Sequence, residues 1–288
     1  MSDRRKALIS IVLVAVIGGA TSPITKIGLS ELPPFSFAFI RFLIASIIIF
    51  PFFIVRNNFK NFIEQVPISL FASINITFFI VGLNLTTANS SQVLYAASPL
   101  LIALISHFLL KEKTDLKKYL GILVGFLGVF LIVILPLIEK SKFSGNVLGN
   151  LLICIGVLSY SFYMIFSKRI QRKYTPFSIT GSFIFTTLFF LSPLFLYDLK
   201  TNNALLSGIT FSGWFSLFYI AFVATIITYI LNQYAIKHGG SVFASMIFYI
   251  TPLFGYLSAF ILLGEKLTLG LIIGSVFAIG GVFLVTKK

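Results

Sequence analysis

"SPLLIALISHFLLKEK", residues 98–113, returns 153 residues later as "TPLFGYLSAFILLGEK", residues 251–266. Laid over each other without a gap, residues 98–132 and 251–285 agree at 13 of 35 positions. The matches include Pro99/Pro252, Glu112/Glu265, Lys113/Lys266, Gly121/Gly274 and Gly128/Gly281, and "GVFL" at 128–131 recurs at 281–284. An apolar composition alone would pair leucines by chance. It would not align a proline, an acid–base pair and two glycines in one register.

The composition decides what kind of chain repeats itself in this way. Hydrophobic residues make up 58% and charged residues 10% of the chain. A soluble domain carries about a quarter charged residues, so the solvent of this chain is lipid. Ten apolar runs are read, at 7–25, 35–55, 67–85, 92–110, 118–136, 147–166, 177–197, 213–234, 242–263 and 269–285. Each is long enough to cross a hydrocarbon core of roughly 30 Å as a helix. Helices are expected because backbone groups in lipid must satisfy one another, and the short alternating segments of a membrane barrel are missing. The longest connection, 198–212, is too short for a soluble domain, so any function must sit among the helices.

The first runs of each half also correspond, with Lys26 ending run one and Lys168 ending run six. The expected fold is therefore an all-α polytopic membrane protein, its ten helices forming two five-helix repeats: residues 1–136, a connecting loop at 137–146, and residues 147–288. Five is odd, so the second repeat starts on the opposite face. That is an inverted-topology repeat, an architecture in which a site between two like-shaped halves can open to each face in turn.

Charge sets the expected orientation. Of 22 lysines and arginines, sixteen fall on segments sharing a face with the N-terminus, among them Arg4, Arg5, Lys6, Lys111, Lys113, Lys168 and Arg169. Five fall on the other face, Lys26, Lys140, Lys142, Lys200 and Lys266, and Arg41 is left inside run two. The excess follows the positive-inside rule with both termini in the cytoplasm of a cytoplasmic (inner) membrane protein, and it removes the need to explain the net charge of +14 by nucleic acid. Arg4-Arg5-Lys6 before an apolar stretch also fits a cleavable signal. Its removal would leave nine spans and break the repeat, so the stretch is read as the first helix. The lone Cys154, in an apolar run, reads as a small hydrophobe.

The strings "GLNLTTANSSQVLYAASPLLIALISHFLLKEK" and "YAIKHGGSVFASMIFYITPLFGYLSAFILLGEKLTLGLIIGSVFAIGGVFLV" resemble the paired signature of the EamA-type drug/metabolite transporters: a mid-helix proline, a Leu-Gly-Glu-Lys helix end, then a glycine-spaced helix. "FAFIRFLIAS", 37–46, resembles that family's second helix with its arginine, and "LSYSFYMIFSKRI" the start of its second repeat. The resemblance implies a ten-helix carrier with both ends cytoplasmic that exports or exchanges small metabolites, often amino acids or their relatives. The first half departs from it with Lys111 where glycine is usual, and the first helix with Gly18-Gly19-Ala20 where an aromatic–glycine pair is common.

Polar side chains at mid-membrane are costly and face a bundle interior or a wet cavity. Asn75, Tyr95, Tyr160 and Tyr229 lead the candidates for solute binding, followed by Gln92, Tyr163, Asn232 and Tyr249. Amides and phenols can bond a polar solute and the rings can stack, although some tyrosines belong to the lipid interface instead. Pro99 and Pro252, near the middle of runs four and nine, are read as kinks and as a symmetric pair of hinges. Gly121, Gly125 and Gly128, with Gly270, Gly274, Ala278 and Gly281, suit close helix packing, within the bundle or against a second copy in a homodimer. Arg41 is expected to snorkel to headgroups or to turn inward, and structural pairing with Glu31 ranks above contact with an anionic solute. His107, whose repeat mate is Phe260, is expected to be packed rather than a proton relay.

The eight acids, Asp3, Glu31, Glu64, Glu112, Asp115, Glu139, Asp198 and Glu265, fall in loops or at helix ends. A proton-driven carrier of lipophilic cations would want a carboxylate at mid-membrane, so multidrug efflux ranks below transport of a neutral, zwitterionic or anionic solute. Metal-ligand spacing and a phosphate-binding glycine loop are both missing, and neither metal nor cofactor is expected. An intramembrane lipid-modifying enzyme would need clustered Asp, His or Ser at one depth. A scaffold or receptor would gain nothing from symmetry across the membrane. The expected partners are a small-molecule solute and the bilayer.

Overall fold

In a computed structural model the described residues are 3–110, 116–139, 145–201, 208–245 and 247–286. Glu112 and Lys113 of the repeated stretch, and the side chains of His107 and Tyr249, lie outside the described residues. Every described element is a helix. Run by run these are α1 (Asp3–Leu29), α2 (Pro34–Arg56), α3 (Phe59–Leu85), α4 (Ala88–Ala96) with α5 (Ser98–Leu110), α6 (Leu116–Glu139), α7 (Val147–Ile170), α8 (Pro176–Thr201), α9 (Phe211–Phe218) continued through a π-helical stretch (Tyr219–Ile227) into α10 (Thr228–Gly239), α11 (Ser241–Ala244) with α12 (Ile247–Leu263), and α13 (Leu269–Thr286). Among the described residues seven runs are long and apolar enough to cross a membrane, and Leu123–Ile132, Ile250–Leu263 and Leu269–Gly281 are shorter apolar helices.

The runs begin where a polar side chain can take up a free N–H. Asn58, Thr87, Asn146 and Thr210 cap α3, α4, α7 and α9, accepting from Asn61, Ser90, Gly149 and Gly213. Cross-helix bonds group the helix ends into two faces. The distal face, where α1 ends, joins Ser36 to Asp198, Thr86 to Asn150 and Glu31 to Thr210. The proximal face, where α1 begins, joins Glu64 to Lys173 and Asn57 to Ser178. The outer surface between the faces is apolar: Val55, Phe52, Leu123, Phe130, Leu253 and Ile261 are all more than half exposed. That belt is far larger than the apolar patches a soluble monomer tolerates, and it fits hydrocarbon.

The packing pairs helices across the two halves. α6 lies along α13, α2 along α8, α3 along α7, α1 along α12 and α10, and α4 against α12. The glycine stripes read in the sequence are used here, inside the chain. A Cβ on Gly128 would lie 2.3 Å from the backbone nitrogen of Ala278, and one on Gly281 would lie 2.3 Å from that of Gly125. Only glycine lets α6 and α13 approach backbone to backbone.

The prolines act differently from the symmetric mid-helix kinks expected. Run four breaks at Ala97, two residues before Pro99, so Pro99 sits in the first turn of α5, where its missing N–H costs nothing. Pro252 stays inside α12, and the break in run nine precedes that helix, after α11 ends at Ala244. The proline positions repeat and the helix breaks do not.

Candidate functional site

The side chains expected to meet a solute converge. Asn75, Gln92, Tyr95, Tyr160, Tyr229 and Asn232 all line one cavity of about 130 Å³, walled by α1, α2, α3, α4, α7, α10 and α12. That is room for roughly ten waters, which is the scale of a small metabolite. Tyr163 does not reach it. It packs one layer away, its ring 5.9 Å from both Tyr160 and Phe183.

The chain places these groups by bonding each to a neighbouring helix. Asn75 donates from its amide to the carbonyl of Gly156 on α7 at 2.9 Å and to the Tyr95 hydroxyl on α4. Asn232 donates to the Tyr160 hydroxyl at 2.8 Å, tying α10 to α7. Gln92 donates to the Gly19 carbonyl at 3.1 Å, and Ser91 donates to Ser22 at 3.0 Å, tying α4 to α1. Phe79, Tyr95, Tyr160 and Phe248 form an aromatic wall, with Tyr95 5.5 Å from Phe79 and 6.1 Å from Phe248. Tyr95 and Phe248 are equivalent under the 153-residue offset, so equivalent positions of the two halves meet in this wall. Tyr229 stacks on Phe183 at 4.5 Å. The site offers flat apolar faces at its sides and hydroxyl and amide groups at fixed places, the make-up of small-molecule sites generally.

Arg41 departs from expectation. It neither snorkels nor pairs with Glu31. Glu31 instead accepts from the Thr210 backbone and hydroxyl at 2.8 and 2.5 Å and from Ser212 at 3.1 Å. Arg41 turns into the cavity wall and is 2% exposed. Its Nε donates to Thr225 Oγ1 at 2.9 Å. The π-helical stretch makes this meeting: Thr225 and Thr228 donate their hydroxyls five residues back, to Ile220 and Val223, and so hold the wide register. Lys26 likewise turns inward, donating to the carbonyls of Leu83 and Thr86 at the end of α3.

Gly18, Thr21, Ser22, Ser91 and Thr228 line the cavity too and were not read as site residues. Small hydroxyls and glycines in apolar runs give no signal of their own. The signal present for Thr225 and Thr228 was two threonines three apart in an otherwise apolar stretch.

A model of the EamA-like transporter family matches the chain twice, over residues 5–134 and 147–287. The chain belongs to the EamA-like transporter family. An uncharacterized transporter of Archaeoglobus fulgidus is 27% identical over 291 aligned positions, covering 98% of each chain. The uncharacterized transporters YyaM and YdfC of Bacillus subtilis are 27% and 26% identical, covering 93% and 96% of this chain and 89% of each of theirs. A solved crystal structure superposes with a TM-score of 0.64 at 18% identity, covering 99% of this chain and 96% of that one, a likeness of fold. This transporter is a multi-pass membrane protein.

Proposed function

We propose that this transporter is a secondary carrier that moves small polar metabolites, amino acids and their relatives first among them, by alternating access, with export as its net direction. The observation that carries the reading is the cavity of about 130 Å³ shared by helices of both halves, with Asn75, Tyr95, Tyr160, Tyr229 and Asn232 in its wall. A cavity of about 150 Å³ takes one benzene, so this one suits a small solute. It is too small for a lipid.

The two halves, residues 1–136 and 147–288 joined by 137–146, work here as inverted repeats. Three contacts support this. α6 and α13, which carry equivalent glycines, pack on each other. Tyr95 and Phe248, equivalent under the same offset, meet in the cavity wall. Lys26 bonds the carbonyls of Leu83 and Thr86, and Lys168 bonds those of Ile236 and Lys237, with Leu83 and Ile236 again 153 apart. The basic proximal face supports a cytoplasmic location for both termini in the inner membrane. Among the described residues that line the cavity Arg41 is the sole charged group. The lining thus lacks the carboxylate that a carrier of lipophilic cations would use, and the clustered acid and base groups of a lipid-modifying enzyme.

The test is flux. Reconstituted in proteoliposomes, the protein is expected to give saturable counterflow of one or more of the twenty amino acids. Asn75→Ala and Tyr95→Ala should each lower it about tenfold, the effect of leaving one buried polar partner unmet. Saturable flux unchanged in both variants would take the cavity out of the mechanism.

A further inference from the structure

Among the described residues Arg41 is a cation with nothing of opposite charge beside it. Among the described residues its bonded partner is Thr225, and its guanidinium carbon lies 4.9 Å from the centre of the Phe42 ring. Its Nη1 is buried and has no hydrogen-bond partner. An unpaired buried charge in a membrane protein is costly and is retained where a function uses it. The acid that the sequence offered as its mate, Glu31, is engaged with Thr210 and Ser212.

Two phenols in the same cavity keep donors to spare. The hydroxyls of Tyr95 and Tyr160 each accept from an amide, Asn75 and Asn232 respectively. A phenol that accepts in this way keeps its own proton to donate. The cavity therefore holds unspent donors at Arg41 Nη1, Tyr95 and Tyr160. It also holds amide acceptors, among them the buried and unpartnered Oδ1 of Asn232.

We propose that Arg41 is the anion-binding group of this cavity and that the carried solute bears a carboxylate, which Arg41 holds through Nη1 with phenolic help. The proposal rests on the carrier reading above and deepens it. A guanidinium presents a planar fork that fits a carboxylate better than a point charge would. One cation matches one negative charge. A phosphate dianion would call for a second cation, and the lining has none. A solute that also carries an ammonium group meets Asn232 Oδ1, so a zwitterion answers both unspent ends of the site. Thr225, fixed by the π register, is the positioning residue for the guanidinium.

Matched acids and amides test this without altering the protein. Counterflow is measured in proteoliposomes with L-leucine, L-threonine and L-phenylalanine, their primary amides, and uridine and glucose as neutral probes. The acids are expected to be carried, and each amide to compete at least about 30-fold more weakly, the size of effect for leaving a buried charge unmatched. Arg41→Gln should lose the acids by a similar factor, and Arg41→Lys should keep part of the binding. Amides that compete as well as acids overturn the proposal, as does uptake of uridine or glucose alone. So does an Arg41→Gln protein of unchanged melting temperature that holds its acids within about threefold of wild type. In those cases the carrier reading stands. Flux of none of the probes would sink the carrier reading itself, and this proposal with it.

Discussion

The two ends of the molecule use one device and finish it differently. At each end a lysine closes the carbonyl end of a neighbouring helix: Lys26 on Leu83 and Thr86 at the distal face, Lys168 on Ile236 and Lys237 at the proximal face. Helix C-termini carry unpaired carbonyls and favour a cation there. At the distal face a buried carboxylate completes the seal, Glu265 accepting from the N–H groups of Ala88 and Asn89 at 2.9 and 3.0 Å. This ties the turn before α13 to the start of α4. The proximal face instead holds a cavity of about 790 Å³ among Ile165, Lys168, Arg169, Gln171, Arg172, Lys237 and Ser241. One end is tied across by a carboxylate and the other holds a basic recess. A carrier that alternates needs such an inequality in any one state.

The largest effect that would sharpen this contrast belongs to Glu265. Glu265→Ala leaves two buried N–H groups without an acceptor and should cost about 3 kcal/mol of stability in denaturant titrations, with Glu265→Gln recovering part. A loss under about 0.5 kcal/mol would mean that the distal seal is not held there. Next come the lysines. Lys26→Met and Lys168→Met should each cost about 1–2 kcal/mol. If the ends alternate, the two substitutions shift labelling of the cavity toward opposite faces, whereas a shift to the same face breaks the comparison. Thr86→Val follows, losing the bond to Asn150 at 2.6 Å and that from the Asn146 backbone at 3.1 Å, for about 1 kcal/mol by thermal melting.

Glu31 gives the smallest effect. The Thr210 hydroxyl and backbone hold its carboxyl below the ordinary carboxylate range. A lowered folded value means that its contribution is present above that range and is lost as pH falls through the lowered value. The melting difference between wild type and Glu31→Gln should stay level from neutral pH to about 5 and close below about 4; a gap that widens in acid would contradict it.

How far the sequence could be read depends on whether a feature repeats. The ten runs, the glycine stripes suited to close helix packing, and the mid-span polar residues were legible because hydropathy, period and register encode them. Six of the eight residues picked for the site line the cavity for the same reason: a polar group at mid-run has few other places to be. Tyr163 was indistinguishable from Tyr160 because residues three apart share a helix face, and the cavity wall ends within the one turn that separates them. The bonded partner of Arg41 escaped the sequence because Thr225 is presented by a π-helical register that no sequence pattern announces. Glu31, close in sequence, looked the better mate. The helix breaks at Ala97 and Ser245 also escaped, because equal prolines suggested equal kinks, whereas tertiary packing decided where each helix ends.

The claim beneath all of this is that the cavity around Tyr95 and Tyr160 is reached from each face in turn. A single cysteine at Thr21, in a Cys154→Ala background, can be titrated with a membrane-impermeant maleimide added to one side of oriented vesicles or the other. The account predicts proximal labelling in the wild-type background and distal labelling once Glu265→Gln loosens the seal, with a carried amino acid slowing both. Labelling confined to one face whatever the variant or solute, or none from either face, would contradict it.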